Sequence, residues 1–352
     1  MKILILCTSL ICGIAAMGQD TLTKQDIKAS AKLIDAKYSD KEIDMMMPDL
    51  LDNIIDYRKM HMITLDNSIP PSLAQRLTPD AVKQEKIKWK YNKKIQLPEN
   101  KNALAFMSIK ELGSLLRNGS ITSKELAAFF IDRIKKYGDS LQCVVSLTET
   151  IAMEQANQAD ADFKKGIDKG PLQGIPYGLK DLFAVKGTKT TWGAQPYRNQ
   201  SIDEDAYVYT RLKEAGAVLI AKFTLGALAM GDYWYGGRTK NPWNLERGSS
   251  GSSAGSASAT VAGLVPFAIG TETHGSIISP SHTCGATGLR PTFGSISRFG
   301  AMTLGWSLDK AGPICRNAED AATVFSLLHG TDGKDASAVE AAFNYDASAD
   351  PK

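Results

Sequence analysis

The chain has 352 residues, enough for two average domains or one large one. It is 43% hydrophobic and 22% charged, an ordinary globular composition that permits a sizeable core, and its formal net charge is +3. Lysine and arginine are scattered rather than clustered, which argues against a nucleic-acid partner.

The first residues stand apart. Lys2 precedes an apolar run from Ile3 to Ile11, then small residues from Gly13 to Gly18, with Ala16-Met17-Gly18 set for a cut before Gln19. This pattern predicts a signal peptide over 1–18 and an exported protein, periplasmic or secreted. The run is too short to span a bilayer, and no later segment is apolar for long enough, so no stable membrane insertion is expected after leader removal. A buried N-terminal helix is the alternative. Cys12 raises lipidation, but Ser9-Leu10-Ile11 lacks the small residue expected before a lipidated cysteine. Beyond the leader remain Cys143, Cys284 and Cys315, an odd count that leaves at least one thiol unpaired. With no Cys-x-x-Cys and only His61, His274, His282 and His329, no zinc site is expected.

Residues 20 to about 65 show helical spacing, with Ile27, Leu33, Ile34, Leu50, Leu51, Ile54 and Ile55 among Lys and Asp. Asp66-Asn67-Ser68-Ile69-Pro70-Pro71 breaks it, and 72–105 is charged and irregular. Residues 19–105 therefore read as a helical N-terminal arm whose later part wraps the main domain. From Ser108 the texture changes. Ser108-Ile-Lys-Glu111 and Thr122-Ser-Lys-Glu125 fit capping boxes, in which a hydroxyl and a glutamate satisfy free N–H groups at a helix start. The second helix is expected to end at Gly138. Then come a strand at Val144–Leu147, a helix at 150–165, a strand at Ile175–Leu179, a helix over Glu204–Ala215 and a strand at Val218–Ala221. A small-residue helix at Gly255–Ala262, a strand at Leu264–Ile269 and a helix from Ala318 to Leu328 capped by Asn317 follow. Alternating helices and apolar strands predict an α/β fold, a sheet covered by helices on both faces.

The chemistry concentrates in Arg247-Gly-Ser-Ser-Gly-Ser-Ser-Ala-Gly-Ser-Ala257. Composition alone is compatible with a flexible linker. Against that, a helix-forming run and an apolar strand follow at once, and a second glycine- and hydroxyl-rich turn, Gly270-Thr-Glu-Thr-His-Gly-Ser276, lies close behind. Neither turn has the spacing of a phosphate-binding loop, nor is there a Gly-x-Ser-x-Gly elbow. With few histidines, base duty falls to another group. A buried lysine suits, because desolvation disfavours the ammonium and lets the amine accept a proton near neutrality. Lys180, at the end of the strand Gly174-Ile-Pro-Tyr-Gly-Leu179, is the best candidate; a solvated surface charge is the bland alternative.

Several motifs in one collinear order resemble the amidase signature family: Gly174-Ile-Pro-Tyr-Gly-Leu-Lys-Asp181, Asn241-Pro-Trp-Asn244, Ser252-Ser253, Ser276 about twenty-four residues on, and Gly288-Leu-Arg-Pro-Thr-Phe-Gly294. The resemblance covers roughly 108–330. It implies a cofactor-free amidase that cleaves a small-molecule or peptide amide to acid and amine or ammonia. By position, Ser276 would be the nucleophile that forms an acyl-enzyme. Ser252, in the family preceded by a cis peptide bond, would pass its proton to Lys180. Backbone N–H groups of Thr273, His274 and Gly275, with Ser276, would form the oxyanion hole. Glycine in that turn lets amides approach substrate unobstructed.

Departures from the family pattern are Ala254, where glycine is usual, and His274, where Gly or Asp is frequent; His274 reads equally as a structural histidine or a substrate contact. Cys284 lacks partners for a thiol nucleophile and reads as buried filler. Trp192, Trp234 and Tyr235 are candidate lining for an acyl pocket, or core. The family domain normally runs beyond the point reached here, so 106–352 is expected to be an amidase signature domain without its C-terminal part. Two other functions stay open: the glutaminase-type subunit of a tRNA-dependent amidotransferase, against which the leader counts, and a non-catalytic remnant acting as a binding or structural protein.

Overall fold

A computed structural model describes residues 22–64 and 89–345; the expected leader lies outside them. The chain divides into two compact units, Met1–Ala74 and Gln75–Lys352, so the expected arm of 19–105 spans both.

In the first unit, helix α1 (Lys24–Ala31) and helix α2 (Asp40–His61) each begin with a capping box, from Thr23 and Asp26 and from Ser39 and Glu42. Lys24 bridges Asp44 at 2.5 Å and Lys28 bridges Asp40, tying α1 to the first turns of α2.

The described part of the second unit opens with 89–106 packed against helix α3 (Ile109–Arg117): the Asn92 amide donates to Ser114 Oγ at 3.0 Å, and the Arg117 guanidinium stacks 3.9 Å over the Tyr91 ring. Next come α4 (Ser123–Leu141), strand β1 (Val144–Leu147), α5 (Glu149–Lys164), β2 (Pro176–Lys180), α6 (Tyr207–Glu214) and β3 (Val218–Phe223). Two small ribbons follow, β4 (Tyr233–Trp234) with β5 (Gly237–Arg238), and β6 (Lys240–Asn241) with β7 (Asn244–Gly248). The chain closes with α7 (Ala254–Val261), β8 (Phe267–Glu272), α8 (Ile278–Cys284), β9 (Thr287–Gly288), β10 (Lys310–Cys315) and α9 (Ala318–Leu328).

The main sheet has the order β1-β3-β2-β8-β10-β9. Its centre is parallel, β2 lying between β3 and β8, and its margins are antiparallel. Every residue of β2 and β3 is buried, the signature of strands covered on both faces, and α4, α5, α7 and α9 pack against the sheet. The mixed α/β fold expected from the sequence is therefore present.

Several boundaries differ from expectation, and three of the differences have identifiable causes. Helix α4 runs through Gly138 to Leu141 and is closed by Gln142 in the left-handed region, because Gly138 is a packing position where an added Cβ would come within 3.1 Å of Val144. Strand β8 begins only at Phe267, since Pro266 has no N–H to give the ladder. Helix α6 begins only at Tyr207: the Asp205 carboxylate accepts from the Lys186 amide at 2.9 Å, and the Ala206 amide donates to the Ala184 carbonyl.

Candidate active site

The site grows from the parallel centre of the sheet. Because β2 and β8 run in the same direction, their carboxyl ends, Lys180 and Thr271–Glu272, arrive side by side at the edge where open α/β sheets place ligands. Lys180 is fully buried. Its Nζ lies 2.8 Å from Ser252 Oγ, 3.1 Å from Ser253 Oγ, 2.8 Å from Thr271 Oγ1 and 3.3 Å from the Thr271 carbonyl. Among the described residues no carboxylate comes within ion-pair distance of it. Burial therefore dominates and pulls its pKa down to about 7, opposed only by the more distant negative charges of Asp309 and Glu272.

The first glycine-rich turn brings Ser252 to this amine. Its chain crosses so close to its neighbour that a Cβ on Gly251 would sit 1.8 Å from the Gly231 carbonyl oxygen, and the Gly251–Ser252 peptide is cis. Ser253 then opens α7, whose residues from Ala254 to Thr260 are buried against β2, β3 and β8, with the departure Ala254 at its first position. The Ser253 hydroxyl donates to the Thr271 carbonyl (3.0 Å) and accepts from the Thr271 amide (3.1 Å).

The second turn brings Ser276. The Ser253 amide donates to the Ser276 carbonyl at 3.0 Å, locking the turns together, and Ser276 is buried at 7% exposure. The Glu272 carboxylate accepts from the amides of Ile277 (2.8 Å) and Ile278 (3.0 Å), fixing the entry to α8. Gly275 has φ +81°, the left-handed region that favours glycine. Among the described residues the backbone N–H groups of Thr273, His274, Gly275 and Ser276 donate to no protein acceptor. The Thr273 hydroxyl donates to Asp309, which also accepts the amides of Leu304 (2.7 Å) and Gly305 (3.0 Å). The turn is thus held at both ends while its own amides stay unengaged, an arrangement able to receive a negatively charged oxygen.

The structure gathers Lys180, Ser252, Thr273, His274, Gly275 and Ser276 at one edge. Sequence reasoning missed Ser253 and Thr271 as partners of the amine, and Glu272 and Asp309 as supports of the second turn; the density of hydroxyls and acid in Gly270-Thr-Glu-Thr273 was the available signal. It also missed a second buried lysine. Lys222 of β3 lies 2.9 Å from Asp181 Oδ1, close as charges but not aligned as a hydrogen bond, and donates to the Lys189 carbonyl and Thr190 Oγ1. Asp181 Oδ2 accepts from the Thr191 amide and hydroxyl, and the Trp192 amide donates to the Asp181 carbonyl. This pair anchors the loop that carries Trp192 into the wall of a cavity of about 590 Å³, shared with Phe299, Met302 and Trp306. Trp234 and Tyr235 do not line that cavity; they pack edge to face with ring centroids 4.7 Å apart, and the Tyr235 amide donates to the Gly193 carbonyl at 3.0 Å. His274 is exposed rather than packed inside. Cys284 is buried, and burial raises its thiol to about 12, which removes it as a nucleophile at neutral pH.

Comparison with known proteins matches the amidase family model to residues 125–351. One of the glutamyl-tRNA(Gln) amidotransferase subunits of Coxiella burnetii is 45% identical over 235 residues, 66% of this chain and 48% of that protein. Its counterpart in Acinetobacter baumannii is 42% identical over 237 residues. Among solved structures, the native peptide amidase of Stenotrophomonas maltophilia aligns with a TM-score of 0.63 at 35% identity, over 66% of this chain and 49% of that one. An amidase family protein from Bacillus anthracis gives 0.63 at 32%, over 67% and 49%. The chain spans about half the length of the relatives it matches.

Proposed function

The chain belongs to the amidase family, and from that premise we propose that it hydrolyses a carboxylic amide through a Ser276 acyl-enzyme, with Ser252 and Lys180 as the proton relay. The observation that carries the proposal is the buried Lys180 amine, 2.8 Å from Ser252 Oγ and without a carboxylate partner among the described residues. An ammonium at that position would be poorly solvated, so the amine is available as a base at neutral pH. In this reading Ser276 Oγ attacks the amide carbonyl while its proton passes through Ser252 to Lys180. The carbonyl oxygen takes the negative charge and is received by the amides of Thr273–Ser276. Collapse of the tetrahedral intermediate breaks the C–N bond, and the relay returns the proton to the leaving amine or ammonia. Water then attacks the acyl-enzyme by the same route and releases the acid. The chemistry runs on side chains and backbone dipoles, without metal or cofactor. The substrate is a small-molecule or peptide amide, and export through the leader at 1–18 completes the proposal.

A fluorophosphonate that labels the wild-type protein and fails to label Ser276→Ala, with an unchanged circular dichroism spectrum, is the expected result. Equal labelling of both proteins refutes the assignment. The identity to glutamyl-tRNA(Gln) amidotransferase subunits favours a second reading, a glutaminase-type subunit that releases ammonia from glutamine for a partner. Glutamine turnover that appears only with co-purified subunits, from unprocessed cytosolic protein, selects that reading over an exported amidase.

A further inference from the structure

The α2 helix carries a pattern that the hydrolytic site does not use. Met47, Leu50, Ile54 and Tyr57 follow one another at spacings of three, four and three, the repeat of a coiled-coil seam, with Leu51 and Ile55 beside it. Tyr57 of the seam and the flanking Leu51 and Ile55 are 60%, 41% and 50% exposed, while Met47, Leu50 and Ile54 are half-buried. The salt bridges to α1 reach only Asp40 and Asp44, so they do not account for the later turns. Pro48 points away from the seam by the helical repeat and does not interrupt it. An apolar stripe of this length on a helix otherwise rich in aspartate marks a docking face.

Charge decides the occupant. The opposite face bears Asp49, Asp52 and Asp56 against Lys41 and Lys59, acidic on balance and the reverse of the basic polar face that holds amphipathic helices on anionic lipid. The seam is instead complementary to itself. Two copies laid antiparallel and centred near residue 52 set Met47 against Tyr57, Leu50 against Ile54 and Leu51 against Leu51 of the other copy. The same register sets Asp44 opposite Arg58 at both flanks. Asp44 meets Lys24 through Oδ1 and keeps Oδ2 for that contact. A parallel pairing places Arg58 beside Asn53 and Leu51 beside Met46, and gains no opposite charges. We propose that α2 pairs antiparallel with α2 of a second copy of this chain, making the protein a dimer through its N-terminal unit.

Sedimentation equilibrium of the full chain tests this. The wild type is expected to dimerise, and Leu50→Asp combined with Ile54→Asp to weaken the dimer by at least about tenfold. Asp44→Lys and Arg58→Asp each create like-charge contacts at both flanks and are expected to weaken it by about three- to tenfold; mixing these two variants in equal amounts restores opposite charges at both flanks and recovers the affinity. The rescue does not depend on how well either variant folds alone. A wild type that stays monomeric at all concentrations overturns the proposal, as does a dimer indifferent to the Leu50/Ile54 change or unrescued by mixing. Co-flotation of wild type with anionic vesicles, lost in the Leu50/Ile54 variant, would assign the face to lipid instead and equally overturn it.

Discussion

Replacing Lys180 by methionine, which keeps the volume and removes the amine, exposes what the site costs the fold. In the folded protein this lysine titrates at about 7 rather than at its ordinary 10.5. The difference, at about 1.4 kcal/mol per pH unit, is a destabilisation of about 5 kcal/mol at neutral pH relative to an unperturbed lysine. The sign follows from proton counting. Between pH 7 and 10.5 the unfolded chain keeps the Lys180 proton while the folded chain has released it, so the unfolded state binds more protons and wild-type stability rises with pH in that window. Below about 7 both forms are protonated and the contribution is flat. From pH 7.0 to 8.5 Lys180 alone contributes a rise on the order of 1–2 kcal/mol, and Lys180→Met abolishes it. The buried thiols of Cys143 and Cys284, raised to about 12, act in the opposite direction above pH 9, and subtracting the two proteins' curves cancels them. Urea denaturation at half-unit pH steps on both proteins gives the difference directly. The variant should also be inactive, and it should match or exceed wild-type stability at pH 7, less the cost of leaving the Ser252 and Thr271 hydroxyls without their amine partner. Parallel stability–pH curves for the two proteins would refute the picture of a neutral buried amine.

Further expectations come from the same geometry. The kcat/KM of amide hydrolysis should climb with pH through about 7 and then level, because in the proposed relay only the unprotonated Lys180 accepts the proton; a rate that falls on raising the pH from 6 to 8 contradicts the role. Ser252→Ala should lower kcat by about 10²- to 10⁴-fold with KM little changed, measured with any simple amide that the protein turns over. Glu272→Ala releases the amides of Ile277 and Ile278 from their shared acceptor and should slow labelling of Ser276 more than it lowers Tm. Gly178→Ala in β2 would place a Cβ 1.8 Å from the Phe223 ring and should cost about 1–3 kcal/mol in urea unfolding, without any change at the relay residues themselves.

The sequence disclosed most where side-chain chemistry and local geometry coincide. Thr122 and Asn317 start their helices as their hydroxyl and amide groups dictate, and the paired glycine turns with their serines stand out by composition. It disclosed least where distant contacts decide. Gly138 looks like a helix end but is a contact point for Val144. The edge pair β9 and β10 depends on partners found only in three dimensions. At the site, Lys180 and the serines were legible through motif order, whereas Thr271 and Ser253 acquire meaning only when two strands and two turns meet around one nitrogen. The Lys222–Asp181 pair was hidden for the same reason: nothing in a strand reading Val-Leu-Ile-Ala-Lys-Phe foretells which carboxylate will face the lysine.

Helix α7 has a consequence of another kind. Its sequence from Ala254 to Val261 contains no large side chain, and residues 254–260 are all buried. Such a helix has no slack. Nearly any enlargement pushes on β2, β3 or β8 and is transmitted to Ser252 within one turn. Changes of side-chain size are better accommodated at the rim, in loops such as those bearing Trp192 and Trp306, which line an open cavity. The molecule thus has two mechanical compartments: a kernel with no room to yield around Ser252, and a margin whose side chains can change size.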